Sequence, residues 1–102
     1  MLIARWQIDA RFGRKQEVID AIRKWSDEIA PRIGLTKSAM LTGSIGVLEA
    51  TVEQNWEVES LDELERAWAR LGGIPEHAAW SKELEPYVVS GTSRWSILRK
   101  VE

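Results

Sequence analysis

Cysteine is absent from this chain. That removes disulfide scaffolds, zinc–thiolate sites and thiol nucleophiles, and it suits a reducing compartment. Histidine occurs once, at position 77, so any imidazole chemistry rests on a single residue. Neither charge sign dominates. The formal net charge is -2, without the basic excess that binding a phosphate backbone requires, so nucleic acid is not an expected partner. Long apolar runs are missing too. "MLIARW" is broken by Arg5 before a signal-peptide core can form, and no stretch approaches membrane-spanning length. The expectation is a cytoplasmic protein with no membrane partner. At 102 residues a second domain would leave two cores too small to hold, so residues 1–102 read as one domain. Tryptophan is what the chain has in excess: six, against one phenylalanine and one tyrosine. Indoles can fill a core, a dimer seam or an aromatic ligand pocket.

Periodicity orders the chain. "LIARWQIDA" alternates, with Leu2, Ala4, Trp6, Ile8 and Ala10 on one face, as in a half-buried strand. After "RFG", Val18, Ile22, Trp25 and Ile29 recur at helical spacing until Pro31 and Gly34 stop the helix. A short strand is expected around Ser38–Thr42, then a Gly43/Gly46 turn. A long strand over "VLEATVEQNWEVES" should follow, with Leu48, Ala50, Val52, Trp56 and Val58 inward. "SLDE" fits a capping box in which Ser60 and Glu63 satisfy each other's backbone N–H groups. Leu61, Leu64, Trp68 and Leu71 form the stripe of the second helix. Gly72 and Gly73 break it, and Pro75 opens a further helical piece ending before Pro86. "SRWSILRKV" reads as the last strand. Charge pairs within "ELERAWAR" (Glu63 and Glu65 with Arg66 and Arg70) read as surface solubility features.

The order β-α-β-β-α-β, with right-handed crossovers, predicts an α+β ferredoxin-like antiparallel sheet. Its first and third strands lie centrally, and both helices cover one face. The other face carries Arg5, Gln7, Asp9, Glu49, Glu53, Asn55, Glu57, Arg94, Ser96 and Lys100. It is either a solvated surface or the seam of a sheet-to-sheet homodimer.

Three stretches, "RWQIDARFGRKQEVIDAI", "WEVESLDELERAWARL" and "VVSGTSRWSILR", carry a resemblance. The chain resembles the dimeric α/β-barrel superfamily, and within it NIPSNAP-like and antibiotic-biosynthesis-monooxygenase-like proteins. The resemblance implies a homodimer formed through the sheets and a ligand cleft between sheet and helices. The activities it brings into view include cofactor-free oxygenation of polycyclic phenols and oxygenative haem breakdown. The haem-degrading pattern needs an asparagine on the first strand, a tryptophan early in the second helix and a histidine later in it. Here Trp6 stands at the asparagine position, Trp68 matches the tryptophan, and Trp80 stands near the histidine position with His77 one turn away. Two of three positions depart, and no axial ligand is in place. No cofactor and no metal are expected.

The candidate site follows from that layout. His77, Trp80 and Leu84 share a helix face. Trp6, Trp56, Trp68 and Trp80 are candidate walls for a hydrophobic or aromatic small molecule, while Trp25 is assigned to the core. In the catalytic reading, a neutral His77 in a dry pocket is general base on a phenol-like hydroxyl, and the anion reacts with dioxygen. In the alternative, His77 is a half-exposed first-turn residue, the indoles are packing, and the protein is a non-catalytic binding or structural homodimer.

Overall fold

A computed structural model describes residues 1–101. Strand β1 (Leu2–Asp9) leads into helix α1 (Lys15–Glu28), then β2 (Ser38–Thr42) and β3 (Thr51–Val58). Helices α2 (Leu61–Leu71) and α3 (Pro75–Leu84) follow, and β4 (Arg94–Arg99) closes the chain. The sheet is antiparallel, in the order β2-β3-β1-β4. The expected ferredoxin-like α+β arrangement is therefore present. As expected, Gly72 and Gly73 break the second helical segment and Pro75 opens a separate helix, so the element order is βαββααβ rather than βαββαβ.

Each boundary has a local cause. The α1 segment passes through a 3-10 turn (Ala30–Ile33) and stops where Gly34 takes a φ of 87°, a left-handed conformation that favours glycine. The α2 cap differs slightly from the expected reciprocal box. The Ser60 side chain accepts from Glu63 N–H at 3.2 Å, but the Glu63 carboxylate reaches one residue further back, to Glu59 N–H at 2.6 Å. The charge pairs differ as well: Arg66 pairs with Asp62 one turn earlier, and Arg70 donates to the Ile33 carbonyl.

The third strand is shorter than its alternation suggests. Leu48 and Ala50 belong to a loop, and Leu48 is 61% exposed. Backbone bonds set that limit. Gly43 N–H donates to Thr51 O at 3.0 Å and Thr51 N–H donates to Leu48 O at 3.1 Å, closing a loop on itself. A Cβ at Gly43 would lie 1.8 Å from the Leu48 carbonyl oxygen, so only glycine lets the two backbones approach this closely.

The core lies between the sheet and α1. It includes Ala4, Ile8, Val18, Ile22, Val52 and Val58, joined by Leu64 and Ala67 from α2. The helices cover β1 and β3, while every residue of β4 is exposed. On the outer face the polar groups are knitted together. Arg5 Nε donates to Asn55 Oδ1 at 2.8 Å and lies 3.3 Å from Glu53. Gln7 donates to the second Glu53 oxygen at 2.8 Å. Thr51 Oγ1 donates to Asp9, which Arg94 approaches at 3.6 Å. Among the described residues, no helix is long and apolar enough to cross a membrane.

Candidate functional site

The inner faces of β1, β3 and β4 meet α1, α2 and α3 around an open cleft of about 690 Å³. All six tryptophans line it: Trp6, Trp25, Trp56, Trp68, Trp80 and Trp95. The strands explain three. Trp6 and Trp95 face each other in the β1–β4 register, and Trp56 has the inward parity of β3. The indoles do not fill the space between sheet and helices. They form a continuous strip. Trp56 meets Trp25 at a ring-centroid distance of 5.8 Å, Trp25 meets Trp80 at 6.1 Å, and Trp80 meets Trp6 at 6.4 Å. Trp95 continues from Trp6 at 6.5 Å and ends on Trp68 at 5.3 Å. Tilted and T-shaped pairs at these separations suit the ring quadrupoles.

The structure brings together all five residues singled out by sequence: His77, Trp6, Trp56, Trp68 and Trp80 line the same cleft. Trp56 and Trp80 are buried and Trp6 is half-buried. Trp68 is 41% exposed, at the mouth beside Trp95. Trp25 packs against the core, as expected, and in addition stands in the cleft wall and hydrogen-bonds the histidine. Trp95 belongs there too, half-exposed on the inner side of β4 and packed edge-on against Trp68 of α2.

His77 is half-buried and stacks on Trp80, with centroids 6.0 Å apart and planes 20° from parallel. The Trp25 indole N–H donates to His77 Nδ1 at 3.0 Å. An indole nitrogen only donates, so Nδ1 must present its lone pair, and the neutral ring carries its proton on Nε2. Burial holds His77 below the ordinary histidine pKa. Protonating Nδ1 would also set two donors against each other, so both effects favour the neutral ring.

Gln54 is the residue that sequence reasoning missed. It shares the inward parity of Val52, Trp56 and Val58, is 3% exposed, and lines the cleft. Its Nε2 donates to Ser38 Oγ at 2.7 Å and Ser26 Oγ at 3.0 Å, tying β3 to β2 and α1. Its Oε1 is buried with no hydrogen-bond partner among the described residues. The signal was available, since a glutamine interrupts an otherwise apolar inward face. Ser81 and Glu85 supply further polar groups to a mostly apolar lining. Gln7 and Asn55 sit in the outer network, as their parity predicts.

No family model matches the chain, and no curated protein does. Solved structures do. A NIPSNAP family protein of Agrobacterium tumefaciens is 22% identical, with a TM-score of 0.81 over 99% of this chain and 93% of its own. A candidate antibiotic biosynthesis monooxygenase from Nitrosomonas europaea is 7% identical, with a TM-score of 0.71 over the whole of both chains. A variant of SnoaB, a cofactor-independent oxygenase from Streptomyces nogalater, is 12% identical, with a TM-score of 0.70 over 99% and 93%. The fold is thus the one the sequence resemblance implies, shared with NIPSNAP-like and antibiotic-biosynthesis-monooxygenase-like structures.

Proposed function

We propose that this protein binds a flat, largely hydrophobic aromatic small molecule in the tryptophan-lined cleft. The observation that carries the reading is the convergence of all six indoles on one open cavity of about 690 Å³. An apolar chamber of this size with a few placed polar groups is the common form of a small-molecule site. Packing alone would have closed it, because interiors are filled to crystal-like density.

The working unit in this reading is a homodimer joined through the outer sheet face. Arg5, Gln7, Glu53 and Asn55 at the centre of that face are already paired within the protomer, so enclosing these four strands little unpaired charge. The half-exposed Leu41 and Leu98 add apolar area on the same face.

Native mass spectrometry of freshly purified protein tests both parts. A mass twice 11.6 kDa supports the dimer, and a monomer removes it. Isothermal titration with fluorene, a flat hydrocarbon probe, should give saturable binding that weakens in Trp80→Ala. No binding of fluorene and no passenger molecule in the native spectrum would end the ligand reading.

A second reading, cofactor-independent oxygenation, is favoured by the likeness to the Streptomyces oxygenase. In it, His77 meets the phenol-like oxygen that becomes the anion, and dioxygen is the oxidant. An activated CH₂ becomes C=O, with one oxygen atom entering the carbon and the other leaving as water. Stoichiometric oxygen uptake with anthrone, lost in His77→Phe, would support it. Binding without uptake would leave a non-catalytic carrier.

A further inference from the structure

We infer that His77 acts toward the ligand as a hydrogen-bond donor through Nε2–H, and that the site takes an aromatic compound bearing an acceptor oxygen: a ketone, quinone or phenolate. Trp25 is the positioning residue that fixes this polarity. The inference rests on the aromatic-ligand reading above and specifies which member of that class fits.

A neutral imidazole has one N–H and one lone pair. The lone pair at Nδ1 is taken by the Trp25 indole N–H at 3.0 Å. Trp25 is itself held by Trp56 and Trp80 at 5.8 and 6.1 Å, and His77 by its stack on Trp80. The ring is thus gripped on one edge and one face, and the remaining polar edge carries a proton. A base at Nε2 would need that proton moved to Nδ1, where another N–H already points. A donor at Nε2 needs no rearrangement. It can hold a carbonyl oxygen or stabilise a phenolate. In the oxygenase reading this makes His77 a stabiliser of the anion rather than the group that first removes its proton.

Two measurements decide it. Long-range ¹H–¹⁵N correlation of the imidazole should show Nδ1 unprotonated and Nε2 protonated in the parent protein. Trp25→Phe, which keeps a ring but loses the N–H, should shift both nitrogens toward a tautomer average. A protonated Nδ1 in the parent would overturn the assignment. For the ligand, calorimetry compares 9-fluorenone with fluorene, which has the same outline without the carbonyl. The fluorenone-to-fluorene affinity ratio should fall roughly ten-fold from the parent to His77→Phe, the worth of one buried hydrogen bond. An unchanged ratio sinks this inference while leaving the aromatic site intact. Failure of both fluorene and fluorenone to bind, with no passenger molecule in the native spectrum, sinks the underlying reading instead.

Discussion

Replacing Gln54 with methionine should leave stability within about 1 kcal/mol of the parent, although the residue is almost fully buried and doubly hydrogen-bonded. The substitution keeps the length and the unbranched stem. It removes two bonds, to Ser38 at 2.7 Å and Ser26 at 3.0 Å, each with a net worth of about 1 kcal/mol. Neither serine is fully buried, so both hydroxyls can re-pair with water. Against that loss of about 2 kcal/mol stands the orphaned Oε1. A buried acceptor without a donor costs roughly 1–3 kcal/mol, and methionine removes it. The terms cancel. Ser38→Ala alone should cost about 1 kcal/mol, and nothing further in the methionine background, because the bond it breaks is already gone. Urea unfolding followed by far-UV circular dichroism, with midpoints compared at a common slope, measures all three variants. A cost of about 3 kcal/mol or more for Gln54→Met would refute the reasoning. It would mean that Oε1 has a partner in the native protein, such as a buried water.

Trp56→Ala and Trp68→Ala should separate clearly in the same assay. Trp56 is 2% exposed and should cost about 3–5 kcal/mol, whereas Trp68, open at the mouth, should cost less than half as much. Gly43→Ala should be strongly destabilising, since the new methyl meets backbone at 1.8 Å; a thermal midpoint close to the parent's would show that the loop can relax. Stability should also fall on acidification. The folded pKa of His77 is depressed by burial, so the unfolded chain takes up the proton first, below about pH 6.5. The His77 contribution is complete above that value and is lost as pH falls toward the folded pKa. His77→Phe should flatten the difference in urea midpoint between pH 7.5 and 5.5; an undiminished difference would assign the slope to another group.

The strand and helix periods were legible because each has its own repeat. The β2 limits at Ser38 and Thr42 and the α2 cap at Ser60 follow from local chemistry that neighbours do not override. The start of β3 was not legible. Leu48 and Ala50 continue the alternation of Val52, and only the close approach of Gly43 to Leu48 in space shows where the ladder stops. The cleft was half legible. Parity and helix faces point Trp6, Trp56, Trp68 and Trp80 inward. They do not reveal that Trp95 pairs with Trp68 at the mouth, or that α1 brings Trp25 within reach of α3 and so makes a hydrogen-bond partner of a residue assigned to the core.

The unbroken strip of indoles has an optical consequence. With neighbouring rings 5.3–6.5 Å apart, excitation of any one can pass along the row before it is emitted. Every tryptophan in the chain belongs to that row, so the protein's near-ultraviolet emission is in effect the emission of its cleft. One bound quencher anywhere along the wall would darken all six at once, and the cleft carries its own gauge of occupancy without a label.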